Sequence, residues 1–168
     1  LDHLGIRRLV AVAGLSYGGY QAFQWGVTFP DMMRGVVAVC SAPKGSGGDA
    51  AVQELVQRLA RDPNWNGGRY YDNGGILETM TEMRMDTLRF YGMEAQIAPQ
   101  FPDAGEREQA IRALAHLWAR RFDGNSLVVL RRAAARFDAE RDLGKLKARL
   151  LYVLSRTDKL FPPEIAGP

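Results

Sequence analysis

The sequence predicts an α/β fold built on a parallel sheet, and two observations support this. An apolar run at residues 8–13 ends at a glycine and leads within a few residues into a helical pattern over 17–28, and a second apolar run follows at 35–40. A strand, a helix and a strand at this spacing form a βαβ unit with parallel strands. Because the apolar runs are continuous rather than alternating, we expect both strands to be buried on both faces.

A third apolar run, residues 150–155, predicts another buried strand of the same sheet. It lies much further along the chain than one crossover helix requires, since a dozen residues suffice. The sequence between predicts helices over 51–61, 77–91, 106–122 and 127–137, the last capped at Asn125–Ser126. In the second helix, the spacing places Met80, Met83, Leu88 and Tyr91 on one side, as core residues.

These elements predict a helical lid inserted into the sheet. We expect core segments at 1–43 and 126–168 and the lid at 44–125. The first residue is not Met, and we interpret the chain as a segment that lacks N- and C-terminal parts of its fold. The strand at 8–13 would then have an unpaired edge, so we expect the isolated chain to be poorly stable or to pair that edge with another copy.

The composition is that of an ordinary globular chain of 168 residues, 46% of them hydrophobic. The net charge of +3 is mild, and the pairs Arg7-Arg8, Arg120-Arg121 and Arg131-Arg132 are interpreted as solvated ends of elements. The charge therefore argues against nucleic acid or a membrane surface as the main partner. Cys40, the single cysteine, favours a reducing, cytoplasmic location and is expected to be a buried strand residue. The sequence has no apolar run of about 18 residues, as a membrane span would need.

A sharp turn is predicted at Ser16. The residues Gly14-Leu15-Ser16-Tyr17-Gly18 match G-x-S-x-G between a strand and a helix, the pattern of the nucleophile elbow of the α/β-hydrolase fold. The serine backbone of such a turn is strained, and we expect Gly14 and Gly18 to prevent clashes. Ser16 is therefore the predicted nucleophile, and the backbone N–H of Tyr17 the predicted oxyanion donor. The alternative is a glycine-rich turn with an incidental serine.

A serine nucleophile also needs an acid and a base. Asp158 follows the third predicted strand, where this fold carries its acid; alternatively, it caps the next turn. The histidines fit the base poorly, because His3 precedes the nucleophile strand and His116 lies in the lid, where an ordinary helix residue is expected. We expect the base, and the loop with the second oxyanion donor, to lie outside these 168 residues.

Several further motifs occur in one order along the chain. They are Gly18-Gly19-Tyr20-Gln21-Ala22 with Trp25, Phe29-Pro30-Asp31-Met32-Met33-Arg34, residues 62–70, residues 121–126 with Arg131 and Phe137-Asp138, and residues 155–163. Together they resemble the homoserine O-acetyltransferase family of the α/β-hydrolase superfamily. The resemblance implies acyl transfer through an acyl-enzyme on Ser16, from acyl-CoA to a hydroxyl acceptor such as homoserine. It implies no bound cofactor or metal, and a homodimer built through the lid helices.

The chain departs from the family pattern at Tyr17, where the family usually has Met, and at Thr79-Met80 and residues 86–89 of the lid. Those positions shape the acceptor site, so an acceptor other than homoserine stays open. Arg84 and Arg89 are candidates to bind a substrate carboxylate, or else solvated helix residues. A lidded ester hydrolase and a catalytically incomplete fragment stay open as alternative functions.

Overall fold

A computed structural model describes residues 1–167. Within them, three strands form one parallel sheet in the order β1 (Leu9–Leu15), β2 (Met33–Val39) and β3 (Arg149–Val153). The register pairs Ala11 with Gly35, and Gly35 with Arg149. The predicted parallel sheet is confirmed, with strand bounds close to those expected.

The α-helices of the described residues account for about half of the chain outside the strands. They are α1 (Tyr17–Thr28), α2 (Gly48–Leu59), α3 (Leu77–Phe90), α4 (Met93–Ile97), α5 (Ala104–Ala119) and α6 (Gly124–Arg136). Short 3-10 segments are Asp2–Leu4, Asn66–Gly68, Glu140–Lys145 and Pro163–Ala166. The sequence did not predict α4, which is only one turn long. The predicted cap of α6 was wrong, since Asp123 rather than Asn125–Ser126 caps it: Asp123 Oδ2 accepts the Ser126 N–H at 2.7 Å.

The chain divides into two compact units. One contains Leu1–Gly48 and Ala133–Pro168, and carries the sheet and α1. The other contains Asp49–Arg132 and is helical; we call it the lid unit, and its action as a lid stays a prediction. Both boundaries lie a few residues later than predicted. The second falls within α6, which continues without a break from one unit into the other.

In the sheet unit, α1 covers one face of the strands. Phe23 and Val27 pack against Ala38 and Ala139 in one apolar cluster. A Cβ at Gly26 would lie 2.9 Å from Val36 Cγ2, so glycine permits the close approach of helix and sheet there.

The prediction that all three strands are buried on both faces was wrong. Val10 is 82% exposed, Leu15 66% and Leu151 57%. In the described part of the chain β1 and β3 are both edge strands, and the alternation of side chains places Leu15 and Leu151 opposite the face that α1 covers. The predicted unpaired edge of β1 is therefore confirmed.

The lid unit has its own apolar core. One cluster includes Trp65, Tyr70 and Met80, and a second joins Met85 of α3 to Ile111 of α5. The expectation that methionines of α3 form core is confirmed. The predicted face was partly wrong, because Met85 is buried whereas Tyr91 is 55% exposed.

Tyr70 and Asp123 fix the start of α6 within this core. The buried Tyr70 hydroxyl donates to Asp123 Oδ1 and accepts the buried Gly124 N–H at 2.9 Å. Burial and the carboxylate together raise the pKa of Tyr70. Burial alone would raise the pKa of Asp123, but hydrogen bonds from Tyr70 and Ser126 outweigh it and lower that pKa. Asp123 is therefore charged at neutral pH, and its contribution to stability is lost as the pH falls through its depressed pKa.

Replacing Tyr70 by phenylalanine should destabilise the lid. We expect a loss of about 1–3 kcal/mol, because the buried Gly124 N–H would keep no partner. Tyr71→Phe is the matched control, since the exposed Tyr71 hydroxyl also contacts Asp123 Oδ1, at 3.0 Å, and an exposed contact contributes roughly 0.5 kcal/mol or less. Urea unfolding followed by circular dichroism measures both. Equal losses in the two variants would contradict the assignment.

Candidate active site

Ser16 forms the turn between β1 and α1. Its φ of 52° and ψ of −116° are values that residues other than glycine rarely adopt. The Ser16 N–H donates to the Val39 carbonyl at 2.9 Å, and the Ser16 carbonyl accepts the Gly19 N–H at 2.8 Å. The residue is exposed, and its side chain makes no capping hydrogen bond to α1. The turn therefore presents a free hydroxyl at the carboxyl edge of the sheet.

Two glycines are required by close approaches at this turn. A Cβ at Gly14 would lie 1.9 Å from the Gly18 carbonyl oxygen, and one at Gly19 would lie 2.3 Å from Ser41 Cβ. The expectation for Gly14 is met. The expectation for Gly18 was wrong, because no described atom lies within 4 Å of where its Cβ would be.

Tyr17 is the first residue of α1, so its N–H has no acceptor inside the helix. A helix N-terminus carries partial positive charge and favours an anion close to it. The Tyr17 ring packs edge-on against the Tyr20 ring, with 5.9 Å between centroids. These features give Tyr17 the position of an oxyanion donor, and that role stays a prediction.

Asp158 lies in the loop after β3, which its own carboxylate holds together. Oδ1 accepts the N–H groups of Leu160 at 2.8 Å and Phe161 at 3.0 Å, as an Asp capping a turn would do. The Cys40 thiol is a neighbour of the carboxylate and also favours its charged form. Burial alone would raise the pKa of Asp158, but these donors outweigh it and lower that pKa. The turn-capping role and a charged acid are thus compatible.

Backbone hydrogen bonds place Ser16 and Asp158 on the same edge of the sheet. The Ser16 N–H binds the last residue of β2, and the Cys40 N–H binds the Val153 carbonyl at the end of β3, at 2.8 Å. The loop that carries Asp158 follows directly. Since neighbouring strands lie about 4.8 Å apart, β1 and β3 are roughly 10 Å apart, which leaves room for an imidazole between their loops.

Cys40 differs from the expected buried strand residue. It lies just beyond β2 with a φ of 43° and is partly exposed. Burial and the neighbouring Asp158 raise the pKa of the thiol, so it stays protonated at neutral pH. Cys40 is therefore a neighbour of the loop that carries Asp158, which the sequence did not indicate.

Aromatic packing joins α1 to the acid loop. The buried Tyr20 ring stacks on Phe137 with 4.7 Å between centroids and meets Phe161 edge-on at 6.1 Å. Phe161 in turn donates its N–H to Asp158. Sequence reasoning missed the contact between Tyr20 and Phe161. The signal was available, because Tyr20 lies one helical turn after Ser16 and Phe161 lies three residues after Asp158.

Neither histidine completes the site. His3 lies in the 3-10 segment ahead of the amino end of β1. His116 lies on α5, with Nδ1 3.5 Å from the Thr81 hydroxyl, as a packed helix residue would. Among the described hydrogen bonds, none joins either histidine to Ser16 or Asp158.

The two candidate substrate arginines make contacts inside the lid unit. Arg89 pairs with Glu108, Glu94 and Asp86. The Arg84 guanidinium lies 5.1 Å from the centroid of the Trp118 ring, a cation–π contact. Arg89 would therefore have to release a carboxylate before it could bind one from a substrate.

Residues 1–167 offer no candidate for a metal site or a membrane span. The described His, Cys, Asp and Glu side chains include no group of three placed to hold a metal ion. No described helix combines the length and the apolar character that crossing a bilayer requires.

Comparison with known proteins confirms the resemblance to homoserine O-acetyltransferases. Those of Haemophilus influenzae and Symbiobacterium thermophilum are 34% and 33% identical, over 97% and 96% of this chain but 51% and 48% of their own lengths. The chain thus spans about half the length of the curated relatives it matches.

Solved structures show the same fold. Esterase E22 superposes with a TM-score of 0.84 at 24% identity, and homoserine O-acetyltransferase from Bacillus anthracis with 0.74 at 25%. The match covers 99% and 98% of this chain, and 51% and 50% of theirs. A sequence profile described as alpha/beta hydrolase fold matches residues 1–167. The chain therefore belongs to the α/β-hydrolase fold family.

Proposed function

We propose that this chain supplies the nucleophile and the acid of a serine-dependent acyltransferase that works through an acyl-enzyme. The observation that carries the proposal is the strained turn at Ser16, whose exposed hydroxyl lies at the same sheet edge as the charged Asp158. Similarity to homoserine O-acetyltransferases supports acyl transfer over other chemistries of this fold. In this proposal the histidine base comes from outside the 168 residues.

The proposed first half-reaction transfers an acyl group from acyl-CoA to Ser16. The serine oxygen attacks the thioester carbonyl, and the base takes the hydroxyl proton while Asp158 orients the resulting imidazolium. The Tyr17 N–H stabilises the negative charge on the carbonyl oxygen. The carbon–sulfur bond then breaks, the proton passes to the leaving thiolate, and Ser16 carries the acyl ester.

The second half-reaction transfers that group to a hydroxyl acceptor, of which homoserine is the one that the similarity suggests. The base deprotonates the acceptor hydroxyl, its oxygen attacks the ester, and Ser16 recovers its proton.

Arg84 is our first candidate to bind the acceptor carboxylate, because the described carboxylates form no ion pair with it; Arg89 is the second. The chemistry needs no bound cofactor or metal. With Cys40 reduced, we place the enzyme in the cytoplasm.

Ester hydrolysis is the second candidate function. It is supported by the positions at which this sequence departs from the homoserine O-acetyltransferase pattern. Tyr17 and residues 86–89 differ from the acetyltransferase pattern, at positions that the resemblance implies to be near the acceptor. Both functions share the acyl-enzyme and differ only in whether water or an acceptor resolves it.

Thiol release from acetyl-CoA distinguishes the two functions. The polypeptide would be expressed with the sequence that flanks it in its gene, and Ser16→Ala would serve as the control. Transfer predicts thiol release that depends on added homoserine or a related hydroxy amino acid. Ester turnover without thiol release would instead establish the hydrolase, and activity that survives Ser16→Ala would exclude both.

The homodimer is proposed to form through α5. Leu114 and Leu117 are 46% and 51% exposed one turn apart, although Ile111 and Ala115 already give this helix a buried apolar face. A second apolar stripe on one helix is suited to a partner helix. Charge complementarity is not needed for such a contact.

Placing carboxylates on this stripe should separate the subunits. Leu114→Glu combined with Leu117→Glu is expected to convert a dimer to a monomer in light scattering, since each buried carboxylate would cost several kcal/mol. Leu77→Glu changes a similarly exposed leucine of α3 and should leave the mass unchanged. A double variant that stays dimeric would remove α5 from the interface.

A further inference from the structure

A cationic groove lies at the amino ends of the three strands. Its charged residues are Arg8, just before β1, Arg34 in β2, Lys147 ahead of β3, Arg149 at the start of β3, and one acid, Asp31. The cavity has a volume of about 570 Å³. Basic side chains that are far apart in the sequence therefore meet at one place, because parallel strands begin at the same edge of a sheet.

The charges in this groove are not balanced. Asp31 is held by Lys147, whose ammonium donates to both carboxylate oxygens at 3.0 and 3.1 Å. Within residues 1–167, the three arginines of the groove form no ion pair with any described carboxylate. Arg84 is likewise without an ion pair among the described residues, whereas Arg58, Arg89 and Arg112 are paired. What distinguishes the groove is that three such arginines line one cavity.

The groove also accounts for the net charge of the whole chain. Four of the 22 Lys and Arg residues line the groove, and so does one of the 19 Asp and Glu residues. Elsewhere the chain has 18 residues of each charge. The positive excess of the chain is therefore concentrated at this groove. The sequence could not show this, because the four cations are brought together only by the sheet.

Unpaired guanidinium groups held close together repel one another, and an anion relieves that repulsion. Guanidinium matches the paired oxygens of a phosphate with two parallel hydrogen bonds. The volume is in the range of small-molecule sites, about 300–1,000 Å³, and exceeds what a single phosphate ion fills. Four cations facing one partly neutralised acid thus suit an anion of high charge.

We propose that this groove binds a small anion carrying two or more phosphate groups. The site is separate from the one at Ser16, because β1 has seven residues and spans roughly 20 Å between them. The inference therefore does not depend on the acyl-transfer proposal. Ser16→Ala should leave this binding unchanged.

Titration calorimetry with inorganic pyrophosphate tests the groove directly. The unmodified chain is expected to bind one pyrophosphate, and Arg34→Gln with Arg149→Gln to weaken binding by about tenfold or more, as the loss of a charge-assisted pair would. Arg120→Gln with Arg132→Gln removes the same charge from exposed positions outside the groove and should change affinity less than about twofold. Circular dichroism would check that every variant is folded.

A third variant and a second preparation complete the experiment. Arg34→Lys with Arg149→Lys keeps the charge but loses the paired donors, so intermediate affinity is expected. A dissociation constant weaker than about 1 mM at low salt, or equal weakening by both glutamine pairs, would overturn the proposal. A third result would also overturn the proposal: the chain binds pyrophosphate alone but not when it is expressed with the sequence that flanks it in its gene. Acidic side chains of that sequence would then fill the groove in place of a phosphate ligand.

Discussion

Ser16→Ala is expected to lower the acyl-transfer rate by about 10⁴-fold or more, because the serine oxygen carries the covalent intermediate. The rate would be measured as thiol release by the polypeptide expressed with its flanking sequence. A fluorophosphonate probe, read by intact mass, should label this protein once and the Ser16→Ala variant not at all. Only a serine activated by a nearby base reacts in this way.

Ser41→Ala is the matched control for this result. Ser41 lies next to the elbow glycine Gly19, is fully buried, and its hydroxyl has no hydrogen-bond partner among the described residues. Removing that hydroxyl should leave both labelling and rate nearly unchanged, since no bond is lost. A Ser16→Ala variant that keeps more than about a tenth of the rate would refute Ser16 as nucleophile.

Gly14→Ala is expected to destabilise the sheet unit by about 3 kcal/mol or more, at the upper end of what overpacking costs. The new Cβ would lie 1.9 Å from the Gly18 carbonyl oxygen, which is backbone and cannot rotate away. Either β1 or the start of α1 would have to move, and with it the strained turn at Ser16. Urea unfolding followed by far-ultraviolet circular dichroism measures the loss.

Gly18→Ala is the matched control, because it makes the same substitution four residues later in the same motif. Its Cβ would enter open space, and alanine is favoured over glycine inside a helix by roughly 1 kcal/mol. We therefore expect equal or greater stability than in the unmodified chain. If the two variants lost the same stability, the close approach at Gly14 would not be what the motif requires.

The sequence was sufficient for the local parts of the fold. Continuous apolar runs predicted the three strands, and helical spacing predicted all helices except α4, because periodicity is a property of neighbouring residues. The G-x-S-x-G pattern predicted a turn whose positive φ the structure shows at Ser16. The position of Asp158 after β3 likewise follows from order along the chain.

Contacts between distant residues could not be predicted in this way. The closeness of Cys40 to Asp158, the packing of Tyr20 on Phe161, and the exposure of Val10 depend on which strands are neighbours and which faces are covered. Neither pattern nor propensity specifies strand order, so burial was assigned to β1 and β3 from their apolar residues alone.

The sequence by itself therefore determined the fold class, the sharp turn at Ser16 and the position of Asp158 after β3, since each is encoded within a short stretch of chain. Only the tertiary structure decided that Gly14, not Gly18, is sterically required, and that Arg34 and Arg149 share one groove. Both depend on distances between groups that the sequence separates. A parallel sheet aligns the ends of its strands. It therefore places Asp158 at the edge formed by their carboxyl ends, and it brings the cations of the groove together at the edge formed by their amino ends, although no sequence motif connects them.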